Sequence, residues 1–149
     1  MIVYRISLAK YSTKLIASGN PARWNPKDTK VIYTAESKAL ACLENVVHRN
    51  SRGLQKNFRQ MNIAIPDEIE MEEIKLTDLK TDWKEFARMP YTQSIGDEWI
   101  RTGKTAVLKV PSAIVPGDSN YLLNPAHKDF SKIKLLKTLP FQFDSRIKM

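Results

Sequence analysis

Three side chains that can do chemistry lie close together in the sequence, between residues 22 and 48. They are the guanidinium of Arg23, the phenol of Tyr33 and the carboxylate of Glu44. An arginine donates paired hydrogen bonds to a phosphate in a geometry that lysine cannot copy. A carboxylate stabilises a positive charge that develops beside it. These residue types therefore suit an enzyme that holds a phosphate and stabilises a cationic transition state.

The local pattern places these side chains near one strand and one helix. Residues 31–34 are β-branched or aromatic, which is typical of a strand. Residues 37–48 predict a helix capped by Thr34 or Ser37, because apolar residues recur there at helical spacing. Residues 18–29 are rich in Ser, Gly, Asn, Pro and Asp and predict a loop before the strand. The recurring apolar residues of the helix are Leu40, Leu43, Val46 and Val47.

The rest of the chain predicts more short strands than helices. No regular strand–helix–strand rhythm occurs, so the sequence predicts a single α+β domain over residues 1–149, with mixed or antiparallel sheets and a few helices. Predicted strands comprise residues 2–8, 59–66, 68–76, 105–110 and 131–138, with an edge strand at 141–144. A short helix is predicted within residues 77–89 and another helix over 93–102, ending at Gly103, and a loop is predicted at 111–126.

The net charge of +8 is distributed unevenly along the chain. Residues 1–60 carry 11 Lys and Arg against 3 Asp and Glu, and residues 101–149 carry 9 against 3. Residues 61–100 carry 4 Lys and Arg against 10 Asp and Glu. A basic surface attracts nucleic acid, an acidic protein or a phosphorylated small molecule. It also serves solubility alone, so the charge does not choose among these partners.

The composition disfavours several classes of protein. The chain has no run of about 18 apolar residues that would span a membrane, and no leader typical of a signal peptide. Cys42 is the only cysteine, which rules out an internal disulfide and fits a reducing cytoplasm. No cluster has the spacing of metal ligands, and no glycine-rich phosphate loop occurs. We therefore expect a cytoplasmic protein without a metal centre.

An ordered series of short motifs extends over nearly the whole chain. The motifs are Tyr4-Arg5-Ile6, Ala22-Arg23-Trp24-Asn25, Val31-Ile32-Tyr33-Thr34, Ala39-Leu40-Ala41-Cys42-Leu43-Glu44, Val47-His48, Gln93 with Gly96-Asp97-Glu98-Trp99, Val110-Pro111-Ser112-Ala113-Ile114, Asn120-Tyr121-Leu122-Leu123-Asn124-Pro125 with His127 and Phe130, and Phe143-Asp144-Ser145-Arg146. In this order they resemble the RES domain family. The family takes its name from an Arg, a Glu and a Ser, which correspond here to Arg23, Glu44 and Ser112. Asp28 stands where a glycine often sits, and the loop before Arg23 lacks a Gly-Gly pair.

The resemblance implies a fold similar to ADP-ribosyltransferases such as diphtheria toxin. It also implies a toxin of a bacterial type II toxin–antitoxin pair that consumes NAD⁺, in an oligomeric complex with an Xre-type helix-turn-helix antitoxin. NAD⁺ is then a substrate and inorganic phosphate a candidate co-substrate, with no other cofactor, no metal, no membrane and no direct nucleic-acid contact. The residues implied for catalysis are Arg23, Tyr33, Glu44 and Ser112, and those implied for NAD⁺ binding are Arg5, Arg23, Tyr33, Ser112 and Asn120.

The chemistry of NAD⁺ cleavage fits a single carboxylate. Nicotinamide leaves as a neutral molecule because it starts as a pyridinium cation, so the reaction needs no general acid. An ordinary glycosidase usually needs two carboxylates, whereas here Glu44, on an otherwise apolar and small helical face, can suffice. Phosphate as the acceptor makes the reaction a phosphorolysis, and water makes it a hydrolysis.

Structural roles compete with each of these assignments. Glu44 and His48 lie four residues apart and could form a solvated pair on the helix. Arg5 could form a salt bridge with the acidic middle segment, and Ser112 after Pro111 could be a turn residue. Core or turn positions are the corresponding alternatives for Trp24, Tyr33, Asn120 and His127.

Two other functions are open on the sequence alone. An enzyme of the same fold could transfer ADP-ribose to a protein or a nucleic acid instead of to a small molecule. A basic nucleic-acid-binding protein or a ribonuclease-type toxin would fit the charge, but the aromatic residues do not interleave with Lys and Arg as RNA-binding motifs require.

Overall fold

Residues 1–148, which the computed structural model describes, form one sheet of seven strands and two α-helices. The single-domain α+β class predicted from the sequence is confirmed. The strands are β1 (Ile2–Leu8), β2 (Ile32–Ala35), β3 (Phe58–Ala64), β4 (Met71–Glu73), β5 (Val107–Pro111), β6 (Ser119–Leu123) and β7 (Lys134–Phe141). The α-helices are α1 (Lys38–His48) and α2 (Met89–Thr102).

The strands follow the order β4-β5-β6-β2-β1-β3-β7 across the sheet. Every neighbouring pair is antiparallel except β4 and β5, which are parallel. The two helices cover different parts of this sheet. Leu40 of α1 packs in an apolar cluster with Phe58 of β3, whereas Trp99 of α2 packs in another cluster with Leu122 of β6.

The sheet is weakly joined at its centre, between β1 and β2. These strands share a single registered pair, Tyr4 with Ala35, whereas β1 and β3 share seven. Backbone groups of β1 that face the opening need other partners, because buried peptide groups are costly to leave unpaired. Asn45 supplies one, since its Nδ2 donates to the carbonyl oxygen of Ile6 at 3.0 Å. Helix α1 is thereby docked onto the opening between the two strands.

Helix α1 begins as predicted, with Ser37 rather than Thr34 as its N-cap. The Ser37 hydroxyl accepts a hydrogen bond from the Leu40 amide at 3.1 Å, the usual role of an N-cap serine. Of the four recurring apolar residues only Leu40 is buried, while Leu43 and Val47 are 38% and 52% exposed. Their exposure means that another face of α1 turns toward the opening in the sheet.

The prediction of a loop over residues 111–126 is wrong for residues 119–123. Strand β6 lies there, between β5 and β2 in the interior of the sheet, and four of its five residues are buried. The turn signals at Pro116, Gly117 and Pro125 belong to the connections on either side, and they conceal the short strand between them. Asn120 therefore lies on a central strand and not in a turn.

Three other predicted strands have different bounds in the structure. The strand predicted at 68–76 shrinks to the three residues of β4. The strands predicted at 131–138 and 141–144 overlap with one continuous strand, β7, which ends at Phe141. Strand β7 lies at the edge of the sheet, where Pro140 is tolerated because an edge strand needs fewer backbone donors.

The helical predictions after β4 are correct in part. Residues 77–89 contain short 3₁₀ turns instead of a short α-helix. Helix α2 begins at Met89 rather than at residue 93, with Pro90 in its first turn, where a missing amide hydrogen costs nothing. It ends as predicted at Gly103, whose φ of 60° is the left-handed conformation that favours glycine.

Candidate functional site

A cavity of about 340 Å³ lies where β1 and β2 separate beneath α1. Its size falls within the range of roughly 300–1,000 Å³ that is usual for small-molecule sites. Three segments contribute to its wall: β1, β2 and one face of α1 with the residue that follows it. The lining residues are Tyr4, Arg5, Ile6, Tyr33, Thr34, Ala35, Ala41, Glu44, Asn45, His48 and Arg49.

Glu44 is the only carboxylate among these lining residues. Its Oε1 accepts a hydrogen bond from Nδ2 of Asn120 at 2.5 Å. Burial raises the pKa of Glu44 above its ordinary value, and the hydrogen bond from Asn120 offsets part of that rise. Within residues 1–148, no cationic side chain approaches Glu44 closely enough for an ion pair. Its negative charge is thus free to face a positively charged ligand.

Arg5 adds a cation to the part of the cavity wall that β1 forms. Its Nη1 donates a long hydrogen bond of 3.5 Å to the carbonyl oxygen of Ile16. Burial lowers the pKa of the Arg5 guanidinium. In the described part of the chain no carboxylate lies within 4.0 Å of it, so the salt bridge considered above for Arg5 is not formed. A desolvated guanidinium without a counter-ion favours an anionic ligand.

The face of α1 that lines the cavity is mostly polar, not apolar and small as the sequence suggested. Its residues recur at intervals of three and four, which places them on one side of a helix. His48, considered above as a structural residue, belongs to this face, and its pKa is lowered by burial and by neighbouring positive charges. Counting three or four residues along the helix from Glu44 reaches Ala41 and His48. The same count from Ala41 reaches Asn45, and from Asn45 it reaches Arg49, so the helical period of the sequence could have added these residues to the site.

Arg23 lies beside the cavity and not in its lining. Its Nη1 donates to the carbonyl oxygen of Trp83 at 3.3 Å, and its guanidinium lies 5.9 Å from the centre of the Trp83 ring. The charge of Arg23 nevertheless acts on two residues that line the cavity. It contributes to the lowered pKa of His48, and it offsets part of the rise that burial causes in the pKa of Tyr33. Arg23 therefore contributes to the positive potential at the site.

The hydroxyl group of Tyr33 joins the cavity to residues 18–29, which we call the Arg23 loop. It accepts a hydrogen bond from the Trp24 amide at 3.0 Å and donates one to Oδ1 of Asn25. Burial raises the pKa of Tyr33 far above its ordinary value, and the Trp24 amide and Arg23 offset only part of that rise. The hydroxyl is therefore neutral and engaged, so the ring of Tyr33 is the part that faces the cavity.

The loop itself is organised around the buried side chain of Asn25. Its Nδ2 donates to the carbonyl oxygens of Asn20, Pro26 and Thr29 at 2.9–3.1 Å. Asp28 adopts a φ of 71°, the left-handed conformation that favours glycine. This backbone angle explains why a glycine often stands at that position in the family that the sequence resembles.

Helix α2 holds the Arg23 loop from the other side. Oγ1 of Thr92 donates to the carbonyl oxygen of Arg23 at 2.6 Å, and Nε2 of Gln93 donates to that of Ala22 at 2.9 Å. Gly96 lies so close that an added Cβ would stand 1.7 Å from the carbonyl oxygen of Trp24. The position of Arg23 therefore depends on contacts with residues about 70 positions away in the sequence.

Ser112 and Asn120, both of which the resemblance places in the NAD⁺ site, lie outside the cavity lining. Ser112 is buried outside the cavity lining, and its Oγ accepts hydrogen bonds from the amides of Ile114 and Val115 at 3.0 Å each. This is the geometry of a turn residue. Asn120 is also outside the lining, and it contacts the carboxylate of Glu44 directly.

Neither a metal centre nor a membrane-spanning helix is found in the part of the chain that the structure describes. Over residues 1–148, no three His, Cys, Asp or Glu side chains converge as ligands of a metal ion would. None of the helices there has the length and apolar character that crossing a bilayer requires.

The model of the RES domain matches residues 2–144. This chain belongs to the RES domain family. The proteins named "Toxin Res" from Photorhabdus laumondii and Yersinia enterocolitica are 37% and 35% identical to it, over 99% of this chain and 97% and 100% of their own lengths. A "Prs ADP-ribosylating toxin" from a Sphingobium species is 40% identical over 84% of this chain and 79% of its own.

A solved structure shares the fold of this RES domain. It is the crystal structure of the M. tuberculosis MbcT–MbcA toxin–antitoxin complex, in which one chain matches with a TM-score of 0.79. The match covers 95% of this chain and 84% of that chain at 17% sequence identity. At that identity the match establishes the shared architecture alone.

The three residues that give the RES family its name do not meet in one place. Glu44 lines the cavity, Arg23 stands beside it, and the hydroxyl of Ser112 is engaged by backbone amides elsewhere. The catalytic roles of all three, and the binding role of Ser112, stay predictions. The structure most directly connects Glu44 with Arg5, Tyr33 and His48, which line the same cavity.

Replacing Tyr33 with phenylalanine is expected to loosen the Arg23 loop without removing the ring from the cavity. The Trp24 amide and Asn25 Oδ1 would both lose their partner, which should lower the free energy of unfolding by about 1–3 kcal/mol. Urea denaturation measures this change. Tyr91→Phe is the matched control, because the Tyr91 hydroxyl makes only an exposed 3.4 Å contact. Equal effects of the two substitutions would refute the structural role of the Tyr33 hydroxyl.

Proposed function

We propose that this RES protein is the toxin of a toxin–antitoxin pair and that it breaks the nicotinamide–ribose bond of NAD⁺. The observation that carries the proposal is the cavity in which Glu44 is the single carboxylate and Arg5 has no ion-pair partner within residues 1–148. NAD⁺ has a cationic nicotinamide ring and an anionic pyrophosphate, so it matches both charges. The toxin names of the Photorhabdus and Yersinia relatives support the biological role.

The reaction assigns one principal task to the carboxylate. The bond from the ribose carbon to the nicotinamide nitrogen breaks, and its electron pair neutralises the pyridinium. The ribose carbon becomes cationic in the transition state, and the Glu44 carboxylate stabilises it electrostatically. An oxygen of phosphate or water then forms the new bond to that carbon. No proton has to reach the leaving group, which agrees with a site whose lining holds one carboxylate.

The pyrophosphate is assigned to the arginine side chains. Arg5 lies inside the cavity, and Arg23 adds positive potential from beside it. The face of the Tyr33 ring is available for stacking on nicotinamide, since its hydroxyl is engaged by Trp24 and Asn25. Ser112 takes no assigned step in this scheme.

The paired hydrogen-bond donors of the Arg5 guanidinium predict a specific response to conservative substitution. Arg5→Lys is expected to raise KM for NAD⁺ by about tenfold or more, because an ammonium cannot donate two parallel hydrogen bonds to phosphate. Steady-state kinetics measure the effect. Arg59→Lys on β3, which lies outside the cavity lining, is the matched control. Unchanged KM in Arg5→Lys would remove Arg5 from the pyrophosphate site.

The basic groups at the cavity support phosphate rather than water as the acceptor. Arg5 and Arg49 share its wall with Glu44, and the charge of Arg23 acts on the same region. Such a concentration of basic groups attracts an anion to the neighbourhood of the reacting carbon. Phosphorolysis is therefore the form of the reaction that we propose, with hydrolysis as the slower alternative.

ADP-ribosyl transfer to a macromolecule is the second candidate function. The Sphingobium relative, 40% identical to this RES domain, is named as an ADP-ribosylating toxin. The same cleavage of NAD⁺ would begin that reaction, and only the final acceptor would differ.

One experiment separates these outcomes. The purified protein is incubated with NAD⁺ labelled in the adenine, with and without phosphate and with and without a cell extract, and the products are identified by mass spectrometry. ADP-ribose-1″-phosphate formed only with phosphate supports phosphorolysis, and free ADP-ribose supports hydrolysis. Label retained on protein or nucleic acid supports transfer. Unconsumed NAD⁺ under all four conditions would refute the proposed function.

The proposed partner is an Xre-type helix-turn-helix antitoxin. The shared fold with a chain of the M. tuberculosis toxin–antitoxin complex supports the existence of an antitoxin, without defining its class. We expect the protein encoded beside this chain to co-purify with it as an oligomer and to suppress NAD⁺ consumption. An adjacent protein that binds but leaves turnover unchanged would contradict this assignment.

A further inference from the structure

Asn120 has an unusually complete set of contacts for a side chain outside the cavity. It is 9% exposed and lies on β6, next to β2. Its Nδ2 donates both of its hydrogens, one to the carbonyl oxygen of Thr34 at 3.1 Å and one to Oε1 of Glu44 at 2.5 Å. No hydrogen of this nitrogen remains for a ligand, which argues against the role in NAD⁺ binding that the sequence suggested.

The backbone of Thr34 decides which way the Asn120 amide points. A carbonyl oxygen only accepts hydrogen bonds, so a rotated amide would bring Oδ1 of Asn120 against it. Thr34 cannot withdraw easily, because it is registered with Tyr121 and its own Oγ1 donates to the Tyr121 carbonyl at 2.7 Å. Asn120 is therefore held as a donor toward Glu44 and never as an acceptor.

A fixed donor selects the charge state of the group it faces. A hydrogen bond donated to a carboxylate favours the ionised form, and burial favours the neutral form. Both influences act on Glu44, which is partly buried in the cavity wall. Removing the donor would leave burial unopposed.

We propose that Asn120 is the positioning residue for Glu44: the Thr34 carbonyl holds its amide as an obligate donor, and this donor keeps Glu44 ionised and fixed at the cavity wall. The inference rests on the proposed cleavage of NAD⁺, in which an ionised Glu44 stabilises the cationic ribose carbon. Asn120 does not touch the substrate in this account, so it acts on turnover and not on affinity.

In any pH profile, the titration of other groups near the cavity must be distinguished from that of Glu44. Those that share its cavity, or that act on Tyr33 or His48 within that cavity, come from β1, β2, α1, the Arg23 loop and the end of the described chain. Of these, only a histidine ordinarily titrates between pH 5 and 8, so a His48→Gln background removes its contribution. The groups are Tyr4, Arg5, Arg23, Tyr33, His48, Arg49 and Lys148.

The test compares Asn120→Ala and Asn120→Asp with a matched control, Asn62→Ala. Asn62 is a sheet asparagine on β3 outside the cavity lining, where it accepts a hydrogen bond from Gln60. Asn120→Ala should lower kcat at neutral pH by about 10- to 100-fold with little change in KM. It should also move the acidic limb of the kcat profile upward by roughly one to two pH units. Asn120→Asp should move the limb further, because two adjacent carboxylates share one proton.

A measurement that needs no turnover keeps this inference separate from the proposed function. Titration of the ¹³C-labelled Glu44 carboxyl by NMR, assigned with Glu44→Gln, reports its pKa in wild type and in both Asn120 variants. A higher pKa in both variants and an unchanged pKa in Asn62→Ala support the inference even if NAD⁺ is not the substrate. An unchanged Glu44 pKa in folded Asn120→Ala would overturn it, as would a raised KM with unaltered kcat and acidic limb.

Discussion

Replacing Glu44 with glutamine is expected to reduce the rate of NAD⁺ cleavage by at least about 10²- to 10³-fold. Losses of this size follow when one preorganised electrostatic contact to a transition state is removed. The effect should fall on kcat, because Glu44 faces the charge that develops during bond cleavage and the arginine contacts to pyrophosphate are untouched. Release of nicotinamide, followed by liquid chromatography, measures it. Turnover close to that of wild type would remove Glu44 from the mechanism.

The same substitution should make the folded protein more stable at neutral pH. Burial raises the pKa of Glu44 in the folded state. The stability that a group with a raised folded pKa contributes is complete below its unfolded pKa and is lost as the pH rises through the folded value. Ionised Glu44 therefore costs stability at pH 7, and glutamine avoids that cost while still accepting a hydrogen bond from Asn120.

Thermal unfolding of wild type and Glu44→Gln checks this sign directly. Tm of the variant should exceed that of wild type by roughly 1–4 °C at pH 7, and the two values should converge as the pH falls toward 4. An inactive variant with a higher Tm separates catalysis from folding, so loss of structure could not explain loss of activity. A lower Tm at pH 7 would show that the carboxylate stabilises the fold.

Replacing Gly96 with alanine is expected to have the largest effect on stability among single-methyl additions near the site. The added Cβ would stand 1.7 Å from the carbonyl oxygen and 2.8 Å from the carbonyl carbon of Trp24, and both atoms belong to the backbone. Since neither can rotate away, α2 and the Arg23 loop must separate. We expect a loss of about 3 kcal/mol or more in the free energy of unfolding, and displacement of Arg23 with it.

The direction of this change is diagnostic. Helix propensity alone predicts that alanine in place of an interior helical glycine stabilises by about 0.5–1 kcal/mol. Urea denaturation of Gly96→Ala therefore distinguishes close packing from propensity by sign. Ser94→Ala, at an exposed position of α2, is the control and should change stability little. A stabilised Gly96→Ala would refute the tight contact between α2 and the Arg23 loop.

Elements that depend on neighbouring residues were predictable from the sequence. The first strand, the helix that carries Glu44, the Ser37 cap and the stop at Gly103 all involve interactions within a few positions of the chain. Strand β6 was not predictable in this way, since it is short and turn residues surround it. Its place in the sheet depends on burial between β5 and β2, which no local pattern encodes.

The same distinction between local and tertiary information holds for the candidate site. The RES family and the candidate residues Arg23, Tyr33 and Glu44 could be identified without a structure, because ordered motifs and side-chain chemistry are properties of the chain. The fold, in contrast, decided that Arg5 and His48 share a cavity with Glu44. It also decided that Ser112 and Asn120 lie outside that cavity, the second of them bonded to Glu44 from 76 positions away. The physical reason is that the periods of helices and strands decide which residues lie on one face of an element. What that face contacts depends on how the elements pack, here on the separation of β1 from β2 and the position of α1 over the opening.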